Sequence, residues 1–400
     1  TRQEIPNRVD LLARDVPVLL LIGMAVFAMA PLFVVKHYGT PSWSPVLLNI
    51  AMIATVLGMT GWFENPAWPL VIGTWLGGIL QIAAMWWAMR KHAGVLLPSF
   101  RLRNPGVSKA AWLMVPVLVG QAAGEINKAV DSFFAYSLEE GTVSALFYAN
   151  RLIQLPLAIF GTAVAAAILP SLARSHARSD TPEIRGTLLY GFRQTFFLIA
   201  PSTAGLLILS TPLIRLLFQH GHFDARLAEM TSNAQIYYTL GLLTFAWVKV
   251  AVQGFYAAHD TKTPVIVATF SMILNILLNC VLVRPMGYCG LALATSISFA
   301  VNFLLLYLLL CNRFGMIWDG DTFRDLLRMS VALLVMSAVT YGLSEWICNS
   351  YGVTSFGARL AAVAIPVSAA VAAYAGMCKI LNVPEFDQYL AAITRRRKKI

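Results

Sequence analysis

The chain has 400 residues, of which 58% are hydrophobic and only 12% are charged, and its formal net charge is +11. Soluble domains carry about 25% charged residues, so this composition excludes a soluble globular protein and indicates a protein embedded in a lipid bilayer. The apolar runs are continuous rather than alternating, which excludes a closed transmembrane β-barrel.

A helix needs about 20 apolar residues to cross the hydrocarbon core of a bilayer. About eleven segments meet this requirement, near 15–35, 45–62, 67–89, 110–138, 143–173, 187–209, 230–257, 263–283, 288–311, 325–347 and 357–380. We therefore predict an all-α polytopic membrane protein. Proline removes a backbone hydrogen bond, so kinks are expected at Pro116, Pro156, Pro201 and Pro366.

Polar segments divide these spans into groups of three, six and two. We expect a partial N-terminal lobe over 1–91, a basic linker over 92–108, a six-helix lobe over 109–312, and a final helix pair with a basic tail over 313–400. Secondary transporters are usually built from two repeated halves around a midplane cavity, and the six-helix group has the size of one such half.

Lysine and arginine concentrate in alternate loops, within 90–109, 174–185 and 313–328 and in the tail 395–399. By the positive-inside rule these loops and the C-terminus lie in the cytoplasm, and with about eleven spans residue 1 lies outside. The basic charge is thus interpreted as a topology signal, and no nucleic-acid partner is predicted.

The fourth span carries ionisable groups on one face. Gln121, Glu125, Lys128 and Asp131 fall within an arc of roughly 120° on a helix with 100° per residue. They either line a cavity or form an internally neutralised ladder against a neighbouring helix. The cost of burying such a ladder in lipid favours the cavity.

Arg151 lies in the fifth span, next to Asn150. An arginine at membrane depth costs about 2.5–3.5 kcal/mol and normally faces a cavity or a partner. Its guanidinium suits bidentate phosphate binding, although Glu125 or Asp131 could instead be a structural partner. Lys249 is a weaker candidate, since snorkelling to an interface also explains it.

Asn275 and Asn279 are one helical turn apart, so both amides point the same way. Together with Asp131 they could supply oxygen ligands to Na⁺. Hydrogen bonding between helices is the other interpretation, and spacing alone favours it. The sequence has no Walker loop, nucleophile elbow or HExxH motif, and we do not predict an enzyme.

Five segments resemble the MurJ/MviN lipid II flippases of the MOP (multidrug/oligosaccharidyl-lipid/polysaccharide) exporter superfamily. The five segments are 41–53, 124–174, 213–225, 237–265 and 287–298. The parts most specific to this family are YANRLIQLP, in the second segment, and FYAAHDTKTPV, in the fourth.

The resemblance implies fourteen helices, with two six-helix lobes facing a central cavity and a final pair forming a groove for a lipid tail. On that plan this chain begins near the fourth helix. The resemblance also implies that lipid II, the undecaprenyl-diphosphate-linked peptidoglycan precursor, is flipped across the bacterial inner membrane by alternating access. Membrane lipids and cell-wall synthesis proteins are the further partners expected from it.

Residue by residue, Arg151 aligns with a cavity arginine of the family, which implies a role in binding the diphosphate. Asp131, Asn275 and Asn279 align with Na⁺ ligands of some members, with Leu291 and Thr295 as further donors. Asn279 stands where a carboxylate is expected, so this chain has one negative charge fewer there.

Other functions remain open at this stage. The family holds further essential arginines and an aspartate on its first two helices, where this chain has no residues. An upstream segment, a partner, or an inactive scaffold role would each account for this. A cation-coupled drug or polysaccharide exporter and a membrane enzyme acting on polyprenyl-phosphate lipids are the remaining alternatives.

Overall fold

The computed structural model describes residues 4–63, 65, 67–92, 94, 105–221, 223–351 and 355–397. These residues are almost entirely helical, and they form two compact units, Thr1–Asn104 and Pro105–Ile400. The helices are α1 Glu4–Val34, α2 Gly39–Met59, α3 Trp68–His92, α4 Pro105–Tyr136, α5 Thr142–Pro156, α6 Thr162–Ala177, α7 Thr181–Ile208, α8 Ser210–Leu217, α9 Ala225–Leu240, α10 Leu242–Ala257, α11 Lys262–Met286, α12 Tyr288–Phe314, α13 Gly320–Tyr351, α14 Phe356–Ile380 and α15 Pro384–Arg397.

Eight spans in the described residues are long and apolar enough to cross a membrane, with α5 and α6 counted as one. Two bent pairs, α7 with α8 and α9 with α10, bring the number to ten when each pair counts as one span. The remaining predicted span, α4, is a helix of 32 residues. The prediction of an all-α polytopic membrane protein is therefore confirmed.

In the first unit, α3 packs closely against α2 because glycines face the contact. A Cβ atom at Gly77 would lie 2.8 Å from the Cα of Leu48, and one at Gly73 would lie 2.7 Å from the Cα of Met52. Small residues allow such close approach between membrane helices. The Gln81 side chain adds a hydrogen bond of 3.0 Å to the Ser44 carbonyl.

In the second unit, α7 links three apolar clusters. One cluster joins α7 to α6, α10 and α12 around Leu188 and Phe192. The next joins α7 to α5, α9, α10 and α12 around Ile153 and Ile199. The last joins α7 to α13 and α14 around Phe197. Because α7 contributes to all three, it connects α5, α6, α9, α10 and α12 to the final helices α13 and α14.

The helix irregularities only partly follow the prolines. A π-helical turn, Leu157–Gly161, follows Pro156 and separates α5 from α6. By contrast, α7 and α14 continue through Pro201 and Pro366. The 78° bend between α7 and α8 lies just before Pro212 in the first turn of α8, where proline has no N–H for the carbonyl four residues earlier. The 42° bend between α9 and α10 has no proline beside it. Neither bend was among the kinks expected from the sequence.

Ser296 of α12 stabilises the bend between α9 and α10. Its hydroxyl donates a hydrogen bond of 2.6 Å to the Tyr237 carbonyl and lies 3.3 Å from the Tyr238 carbonyl. A broken helix leaves carbonyls without their usual partners, and lipid cannot supply replacements. Gly241 at the bend permits the contact, since a Cβ there would lie 2.7 Å from the Ser296 Oγ.

We expect Gly241→Ala to destabilise the protein by about 1–3 kcal/mol, the usual cost of forcing extra atoms into a packed site. Thermal unfolding in detergent measures the loss as a lower Tm. Gly205→Ala is the matched control, because no heavy atom lies within 4 Å of a Cβ at Gly205. Equal Tm values for the two variants would show that the contact with Ser296 is not tight.

Candidate functional site

Arg151 lies on the exposed side of α5. Its guanidinium carbon is 4.9 Å from the ring centre of Phe147, one turn earlier. The Gln154 side chain donates a hydrogen bond to the amide oxygen of Asn150 on the same helix. Within the described residues, no carboxylate lies at ion-pairing distance from Arg151, so its N–H groups are available to an external anion.

The predicted polar face of α4 divides into two parts. Lys128 pairs with Glu125 at 2.7 Å, and both side chains are largely exposed. Asp131 is half-buried and turns instead towards α11. The side chain of Gln121 lies outside the described residues. Neither Glu125 nor Asp131 forms an ion pair with Arg151. The other candidate cation, Lys249, is half-buried on α10.

The five residues predicted to bind Na⁺ form one hydrogen-bonded chain. Asn279 donates to the Asp131 carboxylate at 2.6 Å and to the Asn275 amide oxygen at 3.0 Å. Asn275 then lies 3.3 Å from the Thr295 hydroxyl, which donates to the Leu291 carbonyl at 3.1 Å. The fold therefore brings together carboxylate, amide, hydroxyl and carbonyl oxygen atoms from α4, α11 and α12.

Two amide oxygens in or beside this hydrogen-bonded set accept no hydrogen bond. The Oδ1 atoms of Asn279 and of Asn127, one turn before Asp131 on α4, are both buried without a hydrogen bond in the structure. A buried acceptor left unpaired costs about 1–3 kcal/mol. Such oxygens are the ligands that hard cations prefer. Sequence reasoning missed Asn127, although its spacing of four residues from Asp131 places both on one face.

A second polar cluster, which we call the Arg193 clamp, consists of Arg193, Asp325, Arg328 and Glu385 and was not predicted from the sequence. Arg193 of α7 donates to Glu385 of α15 at 2.6 Å and to Asp325 of α13 at 2.8 Å. Arg328 reaches the other oxygen of Asp325 at 3.2 Å. The Asp325 and Glu385 side chains are only 9% and 3% exposed, so these carboxylates depend on the arginines for compensation.

Further contacts attach the final helix pair to the lobe. The Tyr374 hydroxyl of α14 donates to the Phe197 carbonyl of α7 at 3.2 Å. Near the opposite end of α14, the Arg359 guanidinium donates to the Gln219 carbonyl at 2.8 Å. The final helices are therefore attached to α7 by the Arg193 clamp and by Tyr374, and to the end of α8 by Arg359.

The segment FYAAHDTKTPV has a structural role in the loop before α11. Asp260 accepts hydrogen bonds from the Thr263 backbone N–H at 3.0 Å and from its hydroxyl at 2.8 Å, which caps the helix. Arg313 of α12 lies 3.3 Å away. Partial burial of Asp260 opposes its ionisation, but these donors and Arg313 outweigh burial and hold its pKa below the ordinary value.

We expect Arg193→Met to lower the free energy of unfolding by about 3–5 kcal/mol, because it leaves two buried carboxylates unpaired. Thermal unfolding in detergent measures this as a large fall in Tm. Arg226→Met is the control, since it removes an ion pair with Glu139 in which both side chains are more than half exposed. Exposed ion pairs contribute little, so a similar fall in both variants would contradict a stabilising clamp.

The continuous apolar helices, the broken spans and the polar residues inside them define a class of protein. This is a polytopic α-helical membrane transporter fold. A solved structure titled "Lipid II flippase MurJ, inward closed conformation" has this fold, with a TM-score of 0.74 and 24% sequence identity over 93% of this chain and 74% of that one.

The family model described as "Lipid II flippase MurJ" matches residues 8–362. The lipid II flippase MurJ of Burkholderia cenocepacia is 32% identical over 99% of this chain and 77% of its own length. The chain therefore belongs to the MurJ family.

Two further relatives carry the name "Probable lipid II flippase MurJ". The Vibrio cholerae protein is 36% identical over 73% of this chain, and the Haemophilus influenzae protein is 38% identical over 73% of it. The matches cover 55% and 58% of those relatives. The chain thus spans a little over half the length of these two proteins.

Proposed function

We propose that this protein moves lipid II from the inner to the outer leaflet of the bacterial inner membrane. Membership of the MurJ family supports the substrate. The observation that carries the proposal is the exposed guanidinium of Arg151, which has no carboxylate partner among the described residues. A planar guanidinium binds phosphate oxygens in a bidentate manner and keeps its charge at any physiological pH.

In this mechanism Arg151 and Asn150 hold the diphosphate. The exposed pair of Glu125 and Lys128 offers both an acceptor and a donor to the sugar or the peptide. The remaining polar residues proposed to contact the headgroup are Gln121 and Lys249. Alternating access then exposes the headgroup outward while the prenyl tail stays in lipid.

The membrane potential supplies a driving force for this step. A diphosphate carries about two negative charges, and an inside-negative potential favours their outward movement by about 2.3 kcal/mol per charge per 100 mV. Transport in this form requires no nucleotide and no covalent change in the lipid. We therefore assign the protein no enzymatic activity.

The proposed division of labour follows the four parts of the chain. Residues 1–91 supply part of the first lobe, 92–108 a cytoplasmic linker and 109–312 the second lobe. Residues 313–400 supply the helix pair for the lipid tail and a tail in the cytoplasm. The polar contacts of α13, α14 and α15 with the six-helix lobe support a shared motion of the pair and that lobe.

We expect Arg151→Ala to abolish rescue of cells depleted of their lipid II flippase, because the diphosphate loses its bidentate partner. Growth after depletion is the measurement, with the chain expressed alone and with its upstream coding sequence. Arg226→Ala is the matched control, since Arg226 pairs with Glu139 at the surface.

Rescue that Arg151→Ala leaves intact would contradict the assigned role of this arginine. Failure of both forms to rescue, with each confirmed in the membrane, would favour the exporter or scaffold alternatives. Mass spectrometry of the lipid before and after transport separates flipping from an enzymatic reaction, because only the latter changes its covalent structure.

We further propose that Na⁺ is the coupling ion and that it binds among the five hydrogen-bonded residues that run from Asp131 on α4 to Leu291 on α12. The unpartnered amide oxygen of Asn279 supports this, because a cation would satisfy it. The other oxygens available there belong to Asp131, Asn275, Thr295 and Leu291. Asp131 supplies the one carboxylate in this set, so the site is expected to bind Na⁺ weakly.

Sodium should raise the Tm of the wild-type protein, since an ion that binds only the folded state stabilises it. Asp131→Asn should remove this rise, whereas Asp321→Asn, which alters an exposed pair with Arg324, should retain it. The measurement is thermal unfolding in Na⁺ against an equal concentration of K⁺. Equal Tm values in the two salts would rule out a Na⁺ site of useful affinity.

A further inference from the structure

A groove of about 480 Å³ lies on the surface of the second unit, between α6 and α7. Its volume is in the range of small-molecule binding sites. Small side chains on both helices leave this space open, and one aromatic ring borders it. The wall includes Ala167, Ile168, Ser171, Glu183, Gly186 and Tyr190.

The groove is charged at one end and apolar at the other. The Arg174 guanidinium donates a hydrogen bond of 3.1 Å to the Ser171 hydroxyl, which places it at the rim. Glu183 lies at the same end, near the start of α7, whereas Ala167 and Tyr190 lie about two turns further from it. The positive-inside pattern assigns the charged end to the cytoplasmic side of the membrane.

Arg174 and Glu183 carry opposite charges at this rim but do not pair with each other in the part of the chain that the structure describes. The neighbouring acid, Asp180, is already engaged, because its carboxylate caps α7 by accepting from the Glu183 backbone N–H at 2.9 Å. The rim therefore presents a separate cation and a separate anion above an apolar groove.

We propose that this groove binds a zwitterionic phospholipid of the phosphatidylethanolamine class from the inner leaflet. The phosphate binds Arg174, the primary ammonium donates to the Glu183 carboxylate, and an acyl chain lies against Ala167, Gly186 and Tyr190. This order of groups matches the order of charge and apolar surface along the groove.

The carboxylate selects among headgroups. Phosphatidylglycerol carries the same phosphate but no ammonium group, so nothing on this lipid compensates the Glu183 carboxylate and its net negative charge is repelled. A choline headgroup is cationic but has no N–H to donate to the carboxylate. The proposed site is separate from Arg151 and from the transported lipid, so it stands independently of the flippase proposal.

Glycine at position 186 provides a direct test. A Cβ there meets no heavy atom within 4 Å, so Gly186→Leu fills the groove without disturbing the backbone. Gly205→Leu is the matched control, since Gly205 is on the same helix, is equally open and is absent from the groove wall. Native mass spectrometry of the purified protein measures retained phosphatidylethanolamine, phosphatidylcholine and phosphatidylglycerol with identical acyl chains.

We expect the wild type and Gly205→Leu to retain phosphatidylethanolamine preferentially, and Gly186→Leu to lose this binding. Glu183 is exposed, so Glu183→Gln should leave the fold intact. This variant should bind phosphatidylethanolamine about tenfold more weakly, the factor of one charge-assisted hydrogen bond, and should lose the preference over phosphatidylcholine. Equal binding by Gly186→Leu and Gly205→Leu would overturn the proposal. So would phosphatidylglycerol binding as tight as that of phosphatidylethanolamine in the wild type.

Discussion

Hydrocarbon supplies no hydrogen bonds, so each polar group within a span must find its partner inside the chain. Much of this structure follows from that constraint. Ser296 occupies the carbonyls freed by a broken helix. Amides of α11 bridge an aspartate on α4 to a hydroxyl on α12. These polar contacts fix which helices are neighbours, which apolar packing alone would specify less uniquely.

Two arginines on neighbouring spans show how this constraint separates structure from function. Arg193 is largely buried and forms an ion pair with a carboxylate on each side, so its guanidinium serves to hold helices together. Arg151 lies over an aromatic ring and faces outward. An aromatic face restrains a guanidinium while leaving its N–H groups free. The contrast explains why Arg151, and not Arg193, is suited to binding a mobile anion.

The sequence was sufficient for features that depend on short separations. Span length and polarity are local, so ten of the eleven expected spans correspond to helices or bent helix pairs that are long and apolar enough to cross a membrane. The spacing of Asn275 and Asn279 likewise predicted their common face. The bend between α9 and α10 and the Arg193 clamp could not be predicted in this way. The bend at Gly241 depends on a serine on α12, and Arg193 finds its carboxylates 132 and 192 residues later. No local pattern carries such pairings.

The separation of Arg193 from its acids also has a consequence for biosynthesis. An unpaired arginine costs up to about 2.5–3.5 kcal/mol on insertion into a membrane, the value for the centre of a span. Ribosomes add about 5–20 residues per second, so the first acid, 132 residues later, follows after roughly 7–26 s. During that interval α7 is an incompletely stabilised span that membrane insertases must shelter. Nascent chains stopped before α13 should therefore be preferred substrates for membrane proteases.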